Sequence, residues 1–229
     1  ALSRAAILSL GVALLFALLL RWKMQFKTLL LGLVGIGLVV FSMQSQIYEY
    51  FEETDAVSND GKVSNHLTSV TNIQTDASNL ERVNRWVCAV RMFEDRPILG
   101  YGPGTYQFEY NKFQTVEYKT HISSNTGDKG NAHSEYLTYL SEKGILGGII
   151  FLLIVFGAIY FGMKNHQLLE DPLLRLLNLG ILLGLITYFF HGIFNSFMDQ
   201  SKMAFLYFTG LGTLVWLSQI ARNSGKNAA

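Results

Sequence analysis

Cysteine is almost missing: Cys88 is the single thiol in 229 residues. One cysteine excludes an internal disulfide framework and offers no paired spacing for a thiolate metal site. Cys88 therefore reads as a small apolar residue on a helix. Charge is scarce too. Asp, Glu, Lys and Arg make up 15% of the chain, against about a quarter in soluble domains. The basic residues behind the net charge of +1 are scattered, not gathered into a patch, so nucleic acid is not indicated as a partner. No acidic cluster has the spacing of a Mg²⁺ site, and no cofactor is called for. Gly100-Tyr101-Gly102-Pro103-Gly104 lacks the strand–loop–helix setting and the lysine of a phosphate loop, and reads as a plain turn. The apolar run 5–20 ends in Arg21-Trp22-Lys23 without the small-residue cleavage site of a secretory signal. An initial Met is lacking as well. With Ser3-Arg4 leading straight into apolar sequence, the chain is expected to begin inside a longer membrane protein.

What is present is segregation. Residues 5–20, 28–42, 145–163, 176–198 and 203–221 contain no Asp, Glu, Lys or Arg, and the chain is 50% hydrophobic overall. The first two stretches are short against the roughly 20 residues of a spanning helix, but flanking residues extend them. The expectation is an all-α polytopic membrane bundle of five spans: two over 1–42, a large loop over 43–144, three over 145–221, and a tail at 222–229. Arg21, Lys23 and Lys27, then Lys164 and Arg175, then Arg222 and Lys226 all fall on one side of that arrangement. The positive-inside rule puts this side in the cytoplasm and the large loop outside.

Within the loop, 54–80 is rich in Ser, Thr, Asn and Asp and is expected to be extended or mobile. A helix is expected from Leu80, with Val83, Trp86, Val87, Val90 and Phe93 on one face, and Pro97 ending it. Arg82 and Arg85 sit at one margin of that face and Arg91 at the other. A second helix is expected near Ala132, with His133, Tyr136, Leu137 and Leu140 on one side and Glu135 and Glu142 turned away. Amphipathic helices of this kind lie in the membrane interface. That placement would hold Arg82, Arg85 and His133 at headgroup level.

Arg82-(three residues)-Trp86, Ala89, Met92, Asp95-Arg96-Pro97-Ile98-Leu99-Gly100-Tyr101-Gly102-Pro103-Gly104, Ala132-His133-Ser134-Glu135-Tyr136-Leu137 and Glu142-Lys143-Gly144-Ile145-Leu146-Gly147 occur in this order. The ordered set resembles the O-antigen ligase and polymerase superfamily over roughly 1–220. The resemblance implies a bacterial inner-membrane glycosyltransferase, GT-C-like and metal-independent, with its large loop in the periplasm. The implied donor is an undecaprenyl-diphosphate-linked glycan. The implied acceptor is lipid A-core in a ligase, another glycan chain in a polymerase, or protein in some relatives. Arg82 and Arg4 would correspond to arginines that grip the diphosphate, and His133 to the loop histidine that ligases require. Members have more spans than are read here, so the chain corresponds to a C-terminal part.

The residue chemistry suits that assignment. Arginine offers a planar, permanently charged fork for phosphate, and a histidine can take a hydroxyl proton or hold the acceptor. Each residue also has a plainer reading. Arg82, Arg85 and Arg4 can simply snorkel to headgroups. His133 can be a packed histidine, and Glu135 a solvated residue in reserve as a base. His191, Asn195 and Asp199 fall on one face at the outer end of the fourth span, which favours helix packing or a cavity lining, with substrate contact by His191 as the sharper reading. Among other classes, a transporter or flippase segment would need charge in mid-span, and an extracellular sensor would need a larger core in the loop.

Overall fold

The computed structural model describes residues 4–22, 24–42, 77–116, 119, 123 and 130–227. The stretch 54–76, expected to be extended, lies outside the described residues. Among the described residues every regular element is helical: α1 (Arg4–Arg21), α2 (Phe26–Ser42), α3 (Ala77–Asp95), α4 (Tyr106–Glu109), a 3₁₀ turn (Tyr110–Phe113), α5 (Glu135–Leu168), α6 (Pro172–His191) and α7 (Ser201–Asn227). Helices α5, α6 and α7 are long and apolar enough to cross a membrane; α1 and α2 are apolar but shorter.

Local sequence explains the boundaries. Asp171 caps α6, its carboxylate accepting from the N–H groups of Leu173 and Leu174, with Pro172 preset for the first turn. Ser134 caps α5 by accepting from Leu137 N–H. The expected second loop helix and third span are one element, α5, kinked at Gly144 (φ 62°, ψ −164°). Helix α6 stops at His191, so Asn195 and Asp199 lie on the turn leading to α7 and not on a span, as the continuous apolar composition had suggested. Residues 77–80, expected to be extended, form the first turn of α3.

The spans pack through a core that includes Phe151, Val155, Leu185, Phe189, Tyr207 and Leu214. A second cluster joins Ala13, Phe16 and Leu20 of α1 to Met163 of α5 and to Leu182 and Ile186 of α6. Apolar burial drives nothing inside hydrocarbon, so close approach and polar links matter more there. Accordingly Asn165 donates to Leu214 O at 2.9 Å and Asn178 to Gly162 O at 2.8 Å, joining α5 to α7 and α6 to α5. At Gly162 a Cβ would meet Leu182 at 2.6 Å, so the glycine permits the α5–α6 approach. Phe26, just past the α1–α2 turn, meets the Tyr160 ring at 5.4 Å. That turn therefore lies toward the Leu168 end of α5, and the Arg4 end of α1 lies toward the loop end of the bundle.

The loop has its own small core. Cys88, Ala89, Met92, Tyr106, Tyr110 and Ala132 are buried together, and Leu137 of α5 packs against them. The Tyr106 and Tyr110 rings stack at 5.5 Å. This face of α3 is not its apolar one. Glu81, Asn84, Arg85, Cys88, Ala89 and Met92 turn inward, while Val90 is 43% exposed. Cys88, Ala89 and Met92 of this face meet Tyr106, Tyr110 and Leu137, while Asn84 and Arg85 bond to Gln114 and the Asn131 carbonyl.

A clamp fixes this head to the span. Gly102 N–H donates to Glu142 O at 2.7 Å, Tyr101 N–H to Ser141 O at 3.2 Å, and Ile145 N–H to Pro97 O at 2.7 Å. Glu142 is buried and accepts from the N–H groups of Gly104 at 2.8 Å and Tyr106 at 3.1 Å. The expectation that Glu142 turns outward is therefore corrected: its carboxylate compensates burial with backbone donors. Gly100 and Gly144, both at positive φ, let the two backbone segments touch. A Cβ on Gly100 would lie 2.4 Å from Glu142 C, and one on Gly144 would lie 2.3 Å from Ile98 O.

Candidate functional site

His133 sits just before α5, not on it. Expected on the helix, it instead holds φ 48°, a left-handed conformation rare outside glycine. Neighbours stabilise it. His133 N–H donates to Asn131 Oδ1 at 3.0 Å, an Asx-type turn that aims the next residue, Ser134, into its capping position. Trp86 Nε1–H donates to His133 O at 3.3 Å. Asn131 O in turn accepts from Arg85 Nη1 at 3.2 Å.

Arg85 is committed to this support. It is buried, its Nε lies 2.8 Å from Glu81 Oε1, and its guanidinium lies over the Tyr110 ring at 5.3 Å. Ser123 Oγ donates to the other Glu81 oxygen. At Gly130 a Cβ would meet Arg85 Nη1 at 1.8 Å, so only glycine leaves room for the guanidinium. Expected at headgroup level beside Arg82, Arg85 instead braces the His133 segment from behind.

Glu135 is likewise not solvated. It is 2% exposed, and its Oε1 accepts from Tyr188 OH at 2.8 Å, Phe197 N–H at 2.6 Å and Met198 N–H at 2.9 Å. Its own N–H donates to Gly192 O at 2.8 Å. A carboxylate holding three donors is a latch between the start of α5 and the 192–198 turn, and a poor reserve base. The latch brings His191, the last residue of α6, to the same end of the molecule. His191 Nε2 lies 3.1 Å from Asn195 Nδ2, and its ring lies 5.0 Å from that of Phe197.

Helix α3 crosses above. Trp86 lies 6.5 Å from the Phe194 ring while bonding to His133. Arg82, one turn earlier on the same face, is half-buried, and its charge acts on both His133 and His191. Among the described residues no hydrogen bond or ion pair occupies Arg82. Arg91 stands nine positions on, half a revolution around the helix at about 100° per residue. Its Nη1 donates to Phe113 O at 3.3 Å, away from His133. The structure thus gathers Arg82, His133 and His191, and gives Arg85, Glu135 and Arg91 internal partners. Arg4 opens α1 at the loop end of the bundle.

Electrostatics set the state of the histidine. Burial first, then the charges of Arg85 and Arg82, pull His133 down from 6.5 to about 4, with Glu81 opposing. At neutral pH the imidazole is uncharged and able to accept a proton or a hydrogen bond. Burial pushes the Cys88 thiol up to about 11, which leaves it inert at neutral pH. Among the described residues no three His, Cys, Asp or Glu side chains gather in a metal-holding group.

Sequence reasoning gave Trp86 a packing role only and passed over Asn131. The Asn-Ala-His-Ser order carries the signal, since Asn two residues before His and Ser before the helix are the residues of an Asx turn and a cap.

Helices able to cross a bilayer, joined to a head that presents an arginine and a neutral histidine beside their ends, define a membrane protein with a polar cluster at one end of its helices. The chain belongs to the O-antigen ligase family, whose profile matches residues 1–152. It is also similar to an uncharacterised protein of Haemophilus influenzae, 23% identical over 131 residues, which are 57% of this chain and 32% of that protein. The chain thus spans about a third of the length of the curated relative it matches.

Proposed function

We propose that the chain carries the catalytic residues of a bacterial inner-membrane glycosyltransferase, an O-antigen ligase of lipopolysaccharide biosynthesis. It moves a glycan from undecaprenyl diphosphate to a hydroxyl of lipid A-core, with its loop in the periplasm. The observation that carries this reading is Arg82: a half-buried guanidinium, without a described hydrogen-bonding partner, beside the neutral His133.

The acceptor oxygen attacks the anomeric carbon, the bond from that carbon to the phosphate oxygen breaks, and diphosphate leaves on its lipid. Arg82, with Arg4 from the loop end of α1, binds the leaving diphosphate and neutralises the charge it gains. No metal is assigned a part in the step. His133 accepts the hydroxyl proton or holds the hydroxyl against the anomeric carbon. His191 contributes a further contact to the acceptor.

The test uses membranes containing the full-length protein and labelled undecaprenyl-diphosphate glycan, with and without lipid A-core, for wild type, Arg82→Ala and His133→Ala. Label on lipid A-core in wild type alone supports the ligase and both roles. Longer lipid-linked chains made without core would identify a polymerase. No transfer by intact, folded protein would sink the enzyme reading and favour a transporter.

A further inference from the structure

A second polar space lies beside the site. A cleft of about 380 Å³ opens between the glycine turn and α4 (Gly104, Gln107), the first turns of α5 (Thr138, Glu142), and the pair Asn131 and Asp199. It falls in the usual size range of small-ligand sites, roughly 300–1,000 Å³.

The lining indicates what would fit. Its described lining carries amides, a hydroxyl, carboxylates and glycine backbone, with neither lysine nor arginine among the described residues, so no described cation there pairs with a phosphate. Nor does it suit a cation: both Glu142 oxygens are held by the N–H groups of Gly104 and Tyr106. Among the described residues no large apolar side chain lines it. What remains is an alternation of hydrogen-bond acceptors and donors, the chemistry that binds vicinal hydroxyl groups.

Two side chains keep capacity toward the space. Asp199 is exposed and shares one oxygen with Asn131 Nδ2 at 3.3 Å. Gln107 makes only a 3.5 Å contact, from its amide nitrogen to Gly104 O. The cleft also adjoins the site, since Asn131, which lines it, lies two residues before His133 and accepts its N–H.

We infer that this cleft is a sugar subsite, binding hydroxyl groups of the glycan whose anomeric carbon or acceptor hydroxyl lies at His133. The inference rests on the glycosyltransferase reading for its substrate and on the lining for its chemistry. Both donor and acceptor glycans are polyols, and separate probes distinguish them. Asp199 and Gln107 are assigned as the residues that grip the sugar, apart from the Arg82 diphosphate site.

The experiment uses purified full-length protein in lipid nanodiscs. Saturation-transfer NMR measures binding of two soluble probes, a repeat-unit oligosaccharide released from O-antigen and delipidated core oligosaccharide. Undecaprenyl diphosphate carrying no sugar is measured alongside. Asp199→Asn and Gln107→Ala should each weaken oligosaccharide binding about tenfold, the typical effect of one lost hydrogen bond to a charged or well-placed group. Lipid diphosphate binding should stay within about twofold of wild type, as that ligand is held elsewhere. Arg82→Ala should give the opposite pattern. Loss confined to the repeat unit makes the cleft a donor subsite, and loss confined to the core makes it an acceptor subsite. Normal oligosaccharide binding by both variants, or none by wild type, would overturn the proposal. Sugar binding without transfer activity would leave the subsite standing and count against the proposed reaction instead.

Discussion

The Trp86 indole N–H donates to the backbone carbonyl of His133 at 3.3 Å. One bond therefore ties α3, which carries Arg82, to the residue expected to handle the acceptor proton. The site is built from elements distant in sequence, and each link between them makes a prediction.

Trp86→Phe keeps a ring against Phe194 and removes the N–H donor. A neutral hydrogen bond contributes about 0.5–1.5 kcal/mol, so the variant should fold. If Trp86 positions His133, kcat should fall about 3- to 10-fold with KM for the lipid donor little changed. An equal change in KM would mean that the indole binds substrate directly.

Arg82→Lys keeps the charge and loses the fork. If the guanidinium binds diphosphate through two parallel bonds, lysine should not restore binding to better than about a tenth of wild type. Full rescue by lysine would reduce Arg82 to a point charge. Donor titration in nanodiscs measures this.

The acidic limb of the pH profile tests the state of His133. Its lowered value of about 4 leaves free enzyme active well below neutrality, so kcat/KM should fall only near that pH. Bound diphosphate opposes the charge of Arg82 and favours the imidazolium. The limb of kcat should therefore lie at higher pH than that of kcat/KM. For stability the sign is fixed as well. A histidine whose folded value is depressed stabilises the fold above its unfolded value near 6.5, and that contribution is lost as pH falls from there toward 4. His133→Gln should flatten the thermal-stability profile across this window.

Breaking the brace should cost stability before catalysis. Removing one member of a buried ion pair costs about 3–5 kcal/mol, discounted here because Glu81 keeps Ser123 as a donor. Arg85→Ala should lower the melting temperature in detergent by more than Arg91→Ala, whose partner is a single carbonyl. Equal losses would remove Arg85 from its special position.

Gly144→Ala should destabilise the protein severely, through its positive φ and a Cβ 2.3 Å from Ile98 O, whereas Gly157→Ala meets nothing within 4 Å. Strained backbone of this kind costs on the order of 1–3 kcal/mol even before the clash. Comparing the two melting temperatures checks it.

Much of this was legible in sequence. The separation of apolar from charged stretches gave the helical membrane architecture, and helical spacing put Arg82 near Trp86. Cys88 is the buried helical residue its surroundings suggested. The missed features are tertiary. Glu135 and Glu142 have the spacing of a solvated face, and nothing local says that backbone N–H groups from distant turns will fill their oxygens. The Glu81–Arg85 pair has i,i+4 spacing, yet it is held by distant partners, Ser123, the Asn131 carbonyl and the Tyr110 ring. The expected helix start near Ala132 takes in His133, but Ser134 caps the helix and marks its true start. Helix α6 was read too long because Phe194, Phe197 and Met198 are apolar, although Glu135 holds the N–H groups of Phe197 and Met198 outside any helix.

The glycine-permitted contacts between residues 97–104 and 141–145 carry a consequence for protein engineering. Head and span share backbone hydrogen bonds, so the natural cut points of a chimaera do not coincide with the membrane boundary. Exchange of the loop between relatives should succeed only when the donor segment includes the first turns of α5 through Ile145. A graft that ends at the bilayer surface would put one family member's glycine turn against another's helix, and leave the carboxylate at 142 facing amides it was not shaped for.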